Sequence, residues 1–241
     1  CSVCAPAAYH RPHHQRGEGC QPRFVRFDAE ALRDHRVGMR RKGGTIMNFI
    51  IKPLTPQLAG DYFDFFENRA FTDDSPYRCY CQIYQMTKNE RQTKFQHADV
   101  ADFGKISREI AEQQIASGAL RGYLAYADGK AIGWCNANDR ANFPIDSCGG
   151  THFHSDIPNR EIAVVCFEVA PNFRGQGIAT ALLNRVISDA KSNQYSAIES
   201  FPVIREERYE WDCAGPVRLY EKAGFVTTEK RDDFVVMRKE L

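Results

Sequence analysis

Nowhere in its 241 residues does the chain hold an apolar run approaching the ~20 residues that cross a bilayer. Residues 1–46 contain no apolar segment of the secretory type, so export is not indicated and the expected location is the cytoplasm, with no membrane partner. An excess of one charge is also missing: 32 Lys and Arg face 31 Asp and Glu, a net of +1. Without a basic surplus there is no electrostatic footprint for nucleic acid. No internal repeat is present, which excludes a solenoid or propeller. Widely spaced cysteine pairs of the zinc-knuckle kind are absent as well. Cys79-Tyr80-Cys81 and His152-Phe153-His154 could supply four ligands between them, but Cys-x-Cys is the wrong spacing, and no metal is expected.

What is present is an ordinary globular composition, 43% hydrophobic and 26% charged, and enough chain to bury one sizeable core. The near-zero net charge conceals an asymmetry. Residues 1–46 carry nine Lys and Arg against four Asp and Glu, a net of +5, which leaves −4 for the remainder. That segment is rich in Arg, His, Pro and Cys and lacks helix or strand periodicity beyond a short patch at 29–37. Lys42-Gly43-Gly44 is what a purine-rich ribosome-binding sequence becomes when read in frame, and Met47 follows. The expectation is therefore a non-native or disordered extension over 1–46 and a folded domain over 47–241. Three of the nine cysteines fall in the extension, and the other six sit mostly inside apolar patterns, as buried free thiols do.

Within the body, residues 48–54 read as a strand closed by Pro53, and Thr55-Pro56 as a helix start. Residues 71–84 read as a tyrosine-rich loop, and 101–116 as a helix with Phe103, Ile106 and Ile110 on one stripe. Asp128-Gly129 joins two strands, 120–127 and 130–136, in a hairpin. A long loop over 141–159 leads to a doubly covered central strand at 160–169. Ala179, Leu182, Leu183, Val186, Ile187 and Ala190 keep helical spacing after it. A strand at 197–201, a charged insertion at 203–212, a helix at 213–223 ended by Gly224, and a hairpin around 230–233 complete the order β-α-α-β-β-β-α-β-α-β-β.

The chemistry concentrates in residues 164–179, where a buried strand ends at Pro171 and Arg174-Gly175-Gln176-Gly177 opens the next helix. Converging backbone N–H groups and the helix dipole make such a turn an anion cradle. The Walker loop is excluded because Ile178-Ala179, not Lys-Ser or Lys-Thr, follows Gly177. The dinucleotide fingerprint is excluded because Thr180 stands where its third glycine belongs. Arg174-x-x-Gly177-x-Ala179, preceded by Val169-Ala170-Pro171 and followed by Leu219-Tyr220-Glu221-Lys222-Ala223-Gly224-Phe225, resembles the GNAT superfamily, the acyl-CoA-dependent N-acyltransferases.

The resemblance covers roughly 47–241. It implies an α/β (α+β) fold with a mixed, mostly antiparallel sheet flanked by helices and splayed open at the acyl-CoA site. It implies that Arg174, Gly175, Gln176, Gly177, Ile178, Ala179 and Thr180 hold the pyrophosphate. The backbone of Phe167 and Val169 would pair with the pantetheine arm, and Tyr220 would protonate the departing thiolate. For the base, Glu199 is preferred to Glu168, since both lie on strands beside the expected acyl site. Either carboxylate must be raised by burial or work through water to accept a proton near neutrality. The implied reaction is acetyl transfer from acetyl-CoA, as cosubstrate, to a primary amine of a small molecule or peptide by direct attack in a ternary complex. Residues 77–84, the loop after Asn136, and 203–212 with Tyr209 and Trp211 would recognise the acceptor. The alternative is a non-catalytic acyl-CoA-binding sensor or partner-binding module. Either reading leaves room for a homodimer.

Overall fold

The computed structural model describes residues 35–40, 46–71, 79–156, 160–204, 206 and 213–241. In chain order these form β1 (His35–Arg40), β2 (Ile46–Pro53), α1 (Ala59–Asn68), α2 (Lys88–Phe95), α3 (Phe103–Ser117), β3 (Gly122–Ala127) and β4 (Lys130–Asp139). There follow α4 (Gly150–Phe153), β5 (Glu161–Val169), α5 (Ile178–Ser192), β6 (Ala197–Ser200), α6 (Val217–Lys222), β7 (Val226–Lys230) and β8 (Val235–Glu240). The strands make one sheet in the order β1-β2-β3-β4-β5-β6-β8-β7. Every neighbouring pair is antiparallel except β5 with β6. The mixed, mostly antiparallel α/β sheet implied by the sequence is the architecture found.

Each face of the sheet is covered, which is why β5 reads as a continuous apolar run. Ile162, Val164 and Phe167 face α5, whose Leu182, Leu183 and Val186 pack on them with Ile51 and Ala125. Ala163, Val165 and Cys166 face the other way, towards Tyr62, Phe65 and Phe66 of α1 and Trp134 of β4. The change of phase at 165–166 has a local cause. The β4–β5 register slips between Asn136 and Ala137, leaving Val165 as an extra residue. Such a bulge bends and twists the strand that carries it.

Directly beyond this bend the sheet divides. β5 and β6 pair over only four positions, from Glu161 opposite Ala197 to Val164 opposite Ser200. After Ser200 the chain follows β8 instead: Val235 N–H donates to the Pro202 carbonyl (3.0 Å), and Ile204 N–H to Asp233 (2.9 Å). The far end of β5 is thus left unpaired by β6, and the expected splay lies there.

Several expectations need correction. Residues 35–40, assigned to the extension, form β1, which pairs with β2 at six positions. A polar edge strand with a central glycine shows no alternation, because backbone pairing alone suffices at an edge. The strand β2 accordingly starts at Ile46, ahead of Met47. The helix after Thr55 is entered through a 3-10 turn at Pro56–Leu58, with no side-chain cap from Thr55. Two helices were not expected: α2, in a stretch to which no element was assigned, and α4, within the loop read over 141–159. The helix expected from 213 begins only at Val217, with Pro216 as its N-cap. Most of 203–212, with Tyr209 and Trp211, lies outside the described residues, as does Tyr77. Among the described residues no helix is long and apolar enough to cross a membrane.

Candidate active site

The anion cradle is built by the passage from β5 into α5. Gly175 and Gly177 take φ of +73° and +78°, and Gly177 is the N-cap of α5. L side chains strain in that region, so glycine is required there by conformation. Crowding is not the reason at Gly175, where a Cβ would meet no protein atom within 4 Å. The backbone faces open space. The first-turn N–H groups of α5, at Ile178, Ala179 and Thr180, have no acceptor within the helix, and the dipole adds positive potential. Gln176 donates from Nε2 to the Asn172 carbonyl (2.8 Å), while its buried Oε1 has no partner. Arg174 folds back along β5: its Nε donates to the Val169 carbonyl (2.8 Å) and its Nη2 meets Glu168 Oε1 at 3.0 Å.

The unpaired end of β5 is not bare. Phe167 N–H donates to the Cys213 carbonyl at 2.6 Å. The next carbonyl along, that of Ala214, accepts from the Tyr220 hydroxyl at 2.5 Å. Residues 213–216 therefore lie in the gap between β5 and β6, and Gly215, at φ +80°, turns tightly against the Phe167 ring. Tyr220 is fully buried between Phe167 and Phe225, and burial pushes its hydroxyl well above the usual phenol range.

The carboxylates divide sharply. Glu199 is held by two guanidinium groups, Arg238 Nη1 at 2.8 Å and Arg140 Nη1 at 3.1 Å. Glu161 bridges the same two arginines, at 2.6 Å to Arg140 and 2.9 Å to Arg238. Burial pushes Glu161 upward, but the hydrogen bonds from Arg238 and Arg140 outweigh it and hold its carboxyl below the usual range. This quartet spans the short parallel seam of β5 and β6, and it leaves neither oxygen of Glu199 unengaged. Glu168 differs. Burial raises its carboxyl above the ordinary value, only partly offset by the hydrogen bond from Arg174. Glu199 thus meets two guanidinium groups and Glu168 one.

Beside Glu168 lies a group of thiols. Cys81 and Cys166 belong to the core cluster on the α1 face, and Cys213 packs against it. Hydrogen bonding with Cys213 and Cys81, together with burial, pushes the Cys166 thiol well above its usual range. Cys213 Sγ lies 3.1 Å from the Tyr84 hydroxyl. Tyr80 and Cys81 both take positive φ, +44° and +51°, in a turn held by Asn136 Nδ2 donating to the Cys81 carbonyl (3.2 Å). Tyr80 and Tyr84, expected to meet the acceptor, are buried in this wall. Among the described residues no group of three or more His, Cys, Asp or Glu is arranged to hold a metal ion. A small cavity lined by Arg121, Asn138, Asp139, Asp189 and Asn193 sits beside Ile162, at the opposite end of β5 from the cradle. It is no part of this site.

The sequence model of the Acetyltransferase (GNAT) family matches residues 80–225, which hold the cradle, the splay and Tyr220. The chain belongs to the GNAT acetyltransferase family. As a GNAT protein it is an acyltransferase that uses acetyl-CoA. Its fold is similar to the GNAT domain of S. lividans PAT, at 16% identity over 90% of this chain and 100% of that one, with a TM-score of 0.52. It is also similar to a GNAT-family acetyltransferase from Listeria monocytogenes (12% identity, 86% and 100% covered, TM-score 0.48). A PaiA N-acetyltransferase from Thermoplasma acidophilum, solved in complex with coenzyme A, is a further likeness (16% identity, 81% and 100% covered, TM-score 0.45). No functionally curated protein matches the sequence significantly. In this GNAT chain the residues that sequence reasoning missed are Arg140, Arg238 and Cys213. Their partners lie on distant elements, and no local pattern announces them.

Proposed function

We propose that this GNAT protein transfers the acetyl group of acetyl-CoA to a primary amine of a small molecule or peptide, by direct attack within a ternary complex. The observation that supports it most is the divergence of β5 from β6 beside a glycine-rich helix N-terminus, with the half-buried Glu168 on the diverging strand. The N–H groups of residues 175–180 hold the pyrophosphate, and the end of β5 at Phe167 and Val169 takes the pantetheine arm as an added strand once Cys213 has released the Phe167 N–H. Glu168 receives the proton of the attacking amine, directly or through one water. A carboxyl raised by burial is a better base near neutrality than an ordinary one. As the carbon–sulfur bond breaks, the Tyr220 hydroxyl gives its proton to the leaving thiolate, once Ala214 has released it.

The test is thiol release from acetyl-CoA across a panel of primary amines and short peptides. Glu168→Gln should lower turnover by about 10²–10⁴-fold, while the acetyl-CoA-induced rise in melting temperature persists. Because the base must be deprotonated, turnover should fall as pH drops through an apparent pKa above the usual ~4.3 of glutamate. A Glu168→Gln enzyme as active as the parent would remove Glu168 from the reaction.

A further inference from the structure

Two thiols meet where the acyl-CoA arm is expected to enter. Cys166 stands on β5 at the bend, and Cys213 heads the segment that fills the gap. Their backbones are brought together by the Phe167 N–H to Cys213 carbonyl bond of 2.6 Å. Their side chains share the α1 face, and both are free thiols. We propose that Cys166 and Cys213 are a reversible disulfide site, which fastens residues 213–216 between β5 and β6 and so closes the gap to the acyl-CoA arm. This rests on the reading above that the arm pairs with the end of β5.

The two cysteines are unequal in a way that suits exchange. Cys213 belongs to the partly exposed segment that fills the gap, whereas Cys166 is buried. The hydrogen bond from Cys166, with that from Tyr84, stabilises the Cys213 thiolate and lowers its pKa, while Cys166 keeps its proton. Cys213 attacks one sulfur of a small-molecule disulfide such as oxidised glutathione, and one glutathione thiolate leaves. Cys166 then loses its proton and attacks the Cys213 sulfur, expelling the second glutathione as a thiol. Two protein thiols become one disulfide, and one external disulfide becomes two thiols. Cys81 also touches Cys166, but it is 1% exposed and its sulfur accepts from Asn136 Nδ2 at 3.4 Å, so it lies away from the oxidant. In the closed form Phe167 N–H stays capped by Cys213 and the Tyr220 hydroxyl stays on Ala214. The arm then has no donor to pair with, and the thiolate has no acid.

The test equilibrates the full chain with oxidised glutathione or with dithiothreitol and reads three quantities. Non-reducing peptide mapping should show one linkage, Cys166 to Cys213, formed with the loss of two hydrogens. Amide exchange at Phe167 should slow on oxidation. The acetyl-CoA-induced melting shift should be present in the reduced protein, weakened by about tenfold or more in apparent affinity on oxidation, and restored by dithiothreitol. Cys213→Ser, and separately Cys166→Ala, should show the same shift with and without oxidant. A linkage through Cys81, no linkage, or a linked protein that binds acetyl-CoA unchanged would each overturn the proposal. A reduced parent that shows no shift would count against the acyl-CoA reading instead, and Phe167 exchange would still report whether the segment is fastened.

Discussion

Glu199 and Tyr220 are both buried beside the site, and each can be separated into a structural and a chemical part. In the quartet with Glu161, Arg140 and Arg238, removing one carboxylate leaves Glu161 to compensate two guanidinium groups that have little access to water. Glu199→Gln should therefore cost about 3 kcal/mol of stability, read by denaturant unfolding, while turnover of the folded fraction stays within a few-fold. A loss of turnover without loss of stability would return Glu199 to the candidates for the base. Glu161, held below the ordinary range, contributes stability that is complete above the unfolded value of ~4.3 and is lost as pH falls through its lower folded value. The acid limb of melting temperature against pH should flatten in Glu161→Gln. Tyr220→Phe keeps the ring between Phe167 and Phe225 but orphans the Ala214 carbonyl, at a cost of about 1–3 kcal/mol. If the hydroxyl is the acid, kcat should fall by about 10²–10⁴-fold with acetyl-CoA affinity no weaker; an unchanged kcat would leave Tyr220 a packing residue.

Among the elements, the turn into α5 carries the most specific expectation. Gly177→Glu places a side chain in a left-handed position and a negative charge at the helix N-terminus, so the acetyl-CoA melting shift, ~2.7 kcal/mol at a hundredfold excess over Kd, should vanish. Gly177→Asn, which tolerates the conformation and adds no charge, should retain it. Elements whose sequence period matches their burial were readable in advance. The set Leu182, Leu183, Val186 and Ala190 defined α5, and Asp128-Gly129, both at positive φ, defined the β3–β4 hairpin. α2 was not readable, because Lys88–Phe95 buries no residue and has no apolar stripe. Its one local signal is the reciprocal capping of Thr87 and Glu90, present in the sequence as Thr-x-x-Glu before a polar run. The turn into α5 was legible because its geometry is written in contiguous backbone. The contrast between Glu199 and Glu168 was not, because it lies in which arginines the fold brings to them.

At the scale of the molecule, β1 extends the sheet beyond the point at which the sequence suggested the domain begins. Comparing a chain that lacks residues 1–34 with one that lacks 1–45 isolates this strand. The second should melt roughly 3–10 °C lower than the first, as a loss of about 1–3 kcal/mol implies for a chain this size. Both should bind acetyl-CoA alike, since three strands separate β1 from β5. Equal melting temperatures would show that β1 adds nothing to stability. The four-position seam between β5 and β6 has another consequence, in time. As the chain leaves the ribosome, β1 to β5 can assemble before β6, β7 and β8 exist, and the apolar edge of β5 then waits uncovered for the last segment to arrive. A product cut short before Ala197 would keep that edge permanently, an open template for pairing with its own kind.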